Sequence, residues 1–406
     1  MRLKGKWFLI IGLLAFTGLI PAPAISAGPI KIGVISPMSG NYGDHGALER
    51  AGMQMALDEV GGKVLGRPVQ LVMADDETNP DVAARRVRRL IEVDGVKFLM
   101  GGVSSSVGVA VGAVAEEKKV LYINTNGNSD QLAGEYARHY VFTSAPNMAI
   151  LVRGGAKYVA ENLGKKWFFI THDYSWGQSG TKWARASMKE LGCTEVGEIK
   201  VPMGTRDFSS QLLQIRNSGA DVVVITCAGF DNVALLKQLA EYKIYDKMKV
   251  WYTLMEYVDM WPLAKNDRQP YLMTEVYWNE NAQTRAWTEK FNKKFPKAAC
   301  PALDNGNYNG WLSMKVLLAA IKKAGTADDV EKIICTMEGM TIKDNLRANP
   351  TYVRPWDHSF LTQVVLGKAN PAATGTDIYQ IKTITAANKV ARTNQENPVD
   401  VSCKKK

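Results

Sequence analysis

KIGVISPMSGNYGDHGALERAGMQMALDEVGGKVLGRPVQLVMADDETNPDVAARRVRRLI, residues 31–91, decides the fold class. A short β-branched run, KIGVIS (31–36), passes through a turn-rich loop into a helical pattern over about 46–60. A second apolar run, VQLVMA (69–74), leads to a second helix over 80–92. Asn79 is placed to cap that helix, and Pro80 suits its first position, where no N–H has to be satisfied. The order repeats with KFLMGG (97–102), a helix over 106–118 and VLYI (120–123). Continuous apolar strands separated by helices mean a parallel sheet covered on both faces.

After about Pro146 the same grammar restarts. Strands are predicted at WFFITH (167–172), TEVGEIKVP (194–202), DVVVITC (221–227), MKVWYTL (248–254) and YLMTEVY (271–277), with helices at about 148–163, 178–191, 208–218, 232–242 and 256–264. Residues 283–337 read as helical, and SFLTQVVLG (359–367) as one more strand. These late elements hold too few strands for a third domain, so they are expected to complete the first two. The expected architecture is α/β with two lobes, each a doubly wound, mostly parallel sheet, joined by crossings near 147, 277 and 356. The first lobe then takes 28–147 and 278–356, and the second 148–277 and 357–406. The tail beyond Asn370 has weak periodicity and is expected to pack loosely on the second lobe.

At the other end, Arg2, Lys4 and Lys6 precede an unbroken apolar run from Trp7 to Ile20, followed by small residues and prolines up to Ala27. This is the pattern of a cleaved secretory signal, too short to span a membrane comfortably. A soluble, periplasmic mature chain starting near Gly28 is expected, about 379 residues once 27 are removed from 406, more than one compact core usually holds. The formal charge of +10 is scattered. Its densest cluster, Arg85 to Arg89, lies on a helix opposite the apolar positions, without the aromatics and continuous stripe of a nucleic-acid surface. The five cysteines (Cys193, Cys227, Cys300, Cys335 and Cys403) are too few for a disulfide scaffold, and none forms C-x-x-C. Cys300 with Cys335 is the favoured pair, because both lie in one helical stretch.

Enzyme chemistry finds little footing. His45, His139, His172 and His358 lie far apart without metal-ligand spacing, and the sequence calls for no cofactor or metal. GNSDQ (127–131) and GQSGT (177–181) miss the closing glycine of a nucleophile elbow. GGVSSSVG (101–108) is more informative: it follows a strand and opens a helix, where free backbone donors and the helix dipole favour a small anion such as a carboxylate. Ser104, Ser105 and Ser106 could equally cap the helix.

Residues 34–91 then resemble the opening of the leucine/isoleucine/valine-type solute-binding proteins of ABC transporters. The shared features run in order: a first strand, S-G, Y-G, a helix ending in Gly61-Gly62, G-R, the Asp75-Asp76 pair and Asn79-Pro80 where the family has D-P. Asp58-Glu59 stands where the family has I-N. The likeness continues through GGVSSSVGVAVGAVAEEKKVLYINTN, YVFTSAPN, DYSWG, VPMGTRDF and RPWDH, essentially over 28–367. It implies a type I periplasmic-binding-protein fold with three crossovers, monomeric and non-enzymatic, serving an inner-membrane ABC permease.

Position by position, the resemblance places a ligand carboxylate on Ser105, Asn126 and Asn128, and a ligand ammonium on Glu256. Tyr42, Trp176 and Phe230 would wall the cleft, and Asn147 stands at the crossover where an acid is common. The residues carry these roles on their own terms as well. Glu256 follows the C-terminal end of a strand, where ligands of α/β sheets collect, and a carboxylate there can form a charge-assisted bond to an ammonium. Trp176 sits in a polar turn between Ser175 and Gly177, an unusual place for a core tryptophan. The expected cargo is a branched-chain or other apolar L-amino acid. The alternatives are an aromatic carboxylate or an amide such as urea on the same fold, or a ligand-sensing receptor subunit.

Overall fold

The computed structural model describes residues 28–269, 271–274, 280–370, 372–373 and 375–403; the signal sequence and the crossing near 277 lie outside them. The first lobe is built on strands β1 (Ile30–Ser36), β2 (Lys63–Val64), β3 (Arg67–Asp75), β4 (Phe98–Gly101), β5 (Leu121–Asn124) and β6 (Val141–Thr143), in the order β2-β3-β1-β4-β5-β6. All neighbours are parallel except the short β2–β3 hairpin. Helices α1 (Gly43–Glu59), α2 (Pro80–Glu92) and α3 (Ser105–Lys118) make the connections. On α2 the apolar Ala83, Val87 and Leu90 point inward at helical spacing while the arginines face out, and Asn79 accepts from the amides of Asp81 and Val82 at 2.9 and 3.1 Å, as the sequence predicts.

The second lobe follows with α4 (Met148–Asn162), β7 (Lys166–His172), α5 (Ser175–Glu190), β8 (Thr194–Val201), α6 (Ser209–Arg216), β9 (Val222–Thr226), α7 (Phe230–Glu241), β10 (Lys249–Tyr252), the single-turn α8 (Tyr257–Met260) and β11 (Tyr271–Thr274). The chain returns to the first lobe as α9 (Ala282–Lys294), α10 (Asn305–Ala324) and α11 (Val330–Met337). A small antiparallel sheet, β12 (Thr341–Ile342), β13 (Thr351–Val353) and β14 (Phe360–Leu361), lies beside the crossing. Strands β15 (Gln363–Ala369) and β16 (Tyr379–Ala386) then add antiparallel to the second sheet, whose order is β16-β15-β11-β10-β9-β7-β8.

Both central sheets are buried on two faces. Phe98 and Met100 enter one core while Leu99 between them enters the other, and Phe168 and Ile170 alternate in the same way with Trp167 and Phe169. Two glycines bring α1 and α10 close: a Cβ on Gly52 would lie 1.9 Å from the Asn307 carbonyl oxygen, and one on Gly310 2.2 Å from that of Glu49. That approach sets His45 and Glu49 on α1 opposite Asn305 and Asn309 on α10.

Two expectations are corrected. The disulfide joins Cys335 to Cys403, with Cα atoms 5.6 Å apart, and Cys300 is a buried free thiol. Ile333, Ile334 and Met337 turn α11 toward the core, so Cys335 lies on the exposed side, away from Cys300. The tail is also not a loose extension of the second lobe. Its first part is β16, whose alternation is blurred because Thr383 and Thr385 follow Tyr379 and Ile381 on the inner face while Ile384 stands exposed beside Lys382, and its last part is tied to the first lobe through Cys335.

Candidate functional site

The C-terminal ends of both sheets face each other, and the lobes meet along a polar seam. Ser105 opens α3, and its Oγ accepts the Ser129 N–H at 3.1 Å, leaving its own proton to donate. Ser104, in the N-cap position, makes no side-chain cap bond, so the serine cluster is not explained by capping. Across the seam Ser175 Oγ donates to Gln131 Oε1 at 2.7 Å and lies 2.9 Å from Ser129 Oγ. Tyr42 and Tyr174 share a hydroxyl–hydroxyl bond of 2.7 Å, and Trp176 stacks on Tyr174 with centroids 6.1 Å apart.

Asn126 belongs to a buried polar chain. Its Nδ2 donates to Glu49 Oε1 at 2.8 Å and its Oδ1 accepts from Asn309 at 3.1 Å. Thr125 Oγ1 donates to the same Glu49 oxygen. Asn309 donates to Asn305, and Asn305 donates at 2.7 Å to Oε1 of Glu256 in the second lobe. The other Glu256 oxygen lies 2.9 Å from His45 Nε2, an ion pair across the seam, and Asp259 Oδ1 lies 3.4 Å from the same nitrogen. Asp259 in turn accepts from Asn232 at 3.0 Å, and Asp304 accepts the Gly306 and Val258 amides at the head of α10.

Burial opposes the charge on His45, but the carboxylates of Glu256 and Asp259 outweigh it and lift its pKa to about 10. The imidazole is therefore protonated at neutral pH. Burial lifts Asp259 to about 6 and, with Glu256 nearby, Asp304 to about 7. Burial likewise raises Glu49. One cation thus faces three acids at the closure.

Of the residues singled out in the sequence, Tyr42, Ser105, Asn126, Trp176 and Glu256 come together along the seam. Asn128 lies beside them, but its Nδ2 is committed to the Pro146 carbonyl at 2.8 Å, fastening the loop to the first crossing. Asn147 caps α4 through the Ile150 amide at 3.2 Å. Phe230 is 41% exposed with Arg206 over its ring, so its side chain faces outward at the rim. His45, Glu49, Tyr174, Asp259, Asn305 and Asn309 escaped sequence reading. The alternation of Asn305, Asn307 and Asn309 just ahead of the largely apolar stretch WLSMKVLLAAI was the available signal: buried amides need partners.

Residues 29–376 match the periplasmic binding protein family. A Leu/Ile/Val-binding protein of Rhizobium johnstonii is 25% identical over 348 residues, 83% of this chain and 89% of that one. The crystal structure of a periplasmic binding protein from Burkholderia mallei superposes with a TM-score of 0.85 at 30% identity, covering 91% of this chain and 98% of the other. A solute-binding protein of an ABC transporter from Rhodopseudomonas palustris, in complex with 3,4-dihydroxybenzoic acid, shares the fold at 20% identity and a TM-score of 0.81, over 88% of this chain and 98% of the other. With two sheets opposed across a polar seam and a family match running through both lobes, the chain belongs to the periplasmic binding proteins, the non-enzymatic solute-binding components of ABC transporters.

Proposed function

We propose that the protein is a soluble periplasmic receptor that closes its lobes on one branched-chain or other apolar L-amino acid and presents it to an inner-membrane ABC permease. The observation that carries this reading is the charge imbalance at the seam. Glu256 and Asp259 share one imidazolium, with Glu256 Oε2 2.9 Å and Asp259 Oδ1 3.4 Å from His45 Nε2, and Asp304 adds a third acid. A zwitterion satisfies such a cleft: its ammonium balances the acids, and its carboxylate meets the Ser105 hydroxyl and the first amides of α3. A ligand carrying only negative charge would enter an acid-rich seam without a compensating cation. Closure removes water from these contacts and strengthens each of them. The name of the Rhizobium relative points to the same ligand class.

A second reading has its own support. His45 already stands beside Glu256, and the Tyr174–Trp176 stack offers a flat wall to an aromatic carboxylate. Calorimetry with L-leucine and with benzoate, on the wild type and on Glu256→Gln, separates the two. The amino-acid reading expects leucine to bind and the substitution to weaken it by roughly two orders of magnitude, about 2.7 kcal/mol. Leucine affinity untouched by the substitution, or benzoate binding alone, would overturn it in favour of the aromatic acid.

A further inference from the structure

The last residues of the chain make contacts that ligand closure does not require. We propose that the C-terminal tail is a fourth passage between the lobes, a strap that holds the ligand loop in shape through Arg392 and limits how far the lobes part. The inference is independent of which ligand the cleft takes.

The strap leaves the second sheet at the end of β16, where the Ala387 amide donates to Thr362 at 3.1 Å. Five residues later Arg392, 7% exposed, reaches the first lobe. Its Nη2 donates to the Asp130 carbonyl at 3.0 Å and the Ala133 carbonyl at 3.3 Å, and its Nε lies 3.2 Å from Asp130 Oδ1. Its own carbonyl accepts from Arg354 at 3.0 Å, beside the crossing between β13 and β14. Beyond it, Asn397 donates to Ala133 at 2.7 Å, the Val401 amide donates to Trp356 at 3.0 Å, and the Val401 carbonyl lies 2.8 Å from His139 Nδ1. The Cys403 amide donates to Glu338 at 2.8 Å, and its sulfur is bonded to Cys335 on α11. Glu396 pairs with Arg153 of α4, so the strap also grips the second lobe.

Asp130 explains what the strap does. It ends the loop that begins at Asn124, directly after Ser129, whose N–H is held by Ser105. Its carboxylate accepts from Ser179 at 2.7 Å and from the Ala149 amide at 3.2 Å, both in the second lobe. When the lobes part, those donors withdraw. A buried carboxylate left alone is strongly disfavoured, and Arg392 stays with it because the disulfide ties the tail to the same lobe. The span from Ala387 to Arg392, even fully extended, reaches only about 17 Å. An opening that carried β16 further from Asp130 would have to peel the strap away.

The test uses ligand-free mature protein. Small-angle scattering compares the oxidised wild type with the same protein after dithiothreitol and with Cys403→Ser; the strap predicts a larger radius of gyration in the latter two. If Cys403→Ser fails to fold, reduction of the folded wild type supplies the same comparison. Amide exchange then reads the loop. Arg392→Ala, with the disulfide intact, should speed exchange at Ser129–Gln131 on the order of tenfold while the β4 and β5 amides stay protected, and Arg392→Lys should recover part of the loss. An identical radius of gyration in both redox states overturns the limit on opening. Loop exchange in Arg392→Ala equal to the wild type overturns the positioning role.

Discussion

The two ends of the seam are built from opposite materials. On the Ser105 side the groups at the helix start are neutral: hydroxyls, the amides of α3 and a loop fastened through the Pro146 carbonyl and the Ser105 hydroxyl, with the Asp130–Arg392 pair set behind them. On the Glu256 side they are ionic, with His45, Asp259 and Asp304 packed out of water around one carboxylate. The difference teaches where energy and where selectivity reside. Neutral donors at a helix start keep their hydration when open and lose little by waiting. Buried charges are tolerated only while paired, so the acidic side ties the two lobes to each other and is sensitive to every change of charge.

Removing the cation tests that contrast most severely. His45→Ala leaves Glu256 and Asp259 facing each other without a counter-charge and should destabilise the protein by about 3–5 kcal/mol, read from denaturant unfolding. A loss near zero would mean that the acids re-protonate or rehydrate freely and that the seam is not an ionic tie.

The pH profile probes the same end more gently. His45 has a pKa of about 10 in the fold against an ordinary 6.5, so its contribution is complete below about pH 6.5 and disappears as the pH rises toward 10. Asp259 and Asp304 are raised from 3.8 to about 6 and 7, so their burial also becomes less favourable as pH climbs from about 4 to 7. The melting temperature should therefore fall from pH 6.5 to 10, and His45→Asn should make that limb shallower, with His172, also lifted to about 10, supplying what remains. An equally steep limb in the variant would place the titration elsewhere.

At the neutral end, Ser105→Ala should leave the fold intact and weaken leucine binding by about 1.5–3 kcal/mol, the contribution of one hydrogen bond to a charged group. Unchanged affinity in calorimetry would leave Ser105 only its bond to the Ser129 amide. The smallest effect is expected at the rim: Phe230→Ala should change affinity by no more than about 0.5 kcal/mol, because its side chain faces water and Arg206. A loss larger than Ser105→Ala would put the ring back into the cleft wall.

What could be read beforehand follows from the range of each interaction. Strand and helix periodicity is local, so β1, β3, β7 and α2 were legible, and the order of motifs from Val34 to His358 carried the two-lobed architecture with it. Asn147, read as a cleft residue at the crossover, caps α4 in the fold; a capping asparagine and a ligand-facing one have the same sequence signature. Cys403 looked idle beside three terminal lysines, since nothing local says that a tail will return to another lobe.

The sequence by itself determined the layers, the serine-opened helix and the placement of Glu256 at a strand end, because each rests on residues within a turn or two of one another. Only the tertiary structure decided that His45 faces Glu256, that Asn126 is spoken for by Glu49 and Asn309, and that Cys335 meets Cys403. Those pairings join segments up to 211 positions apart, as between His45 and Glu256, and are fixed by the close approach of α1 to α10 and by closure of the lobes, neither of which leaves a periodic trace in the chain.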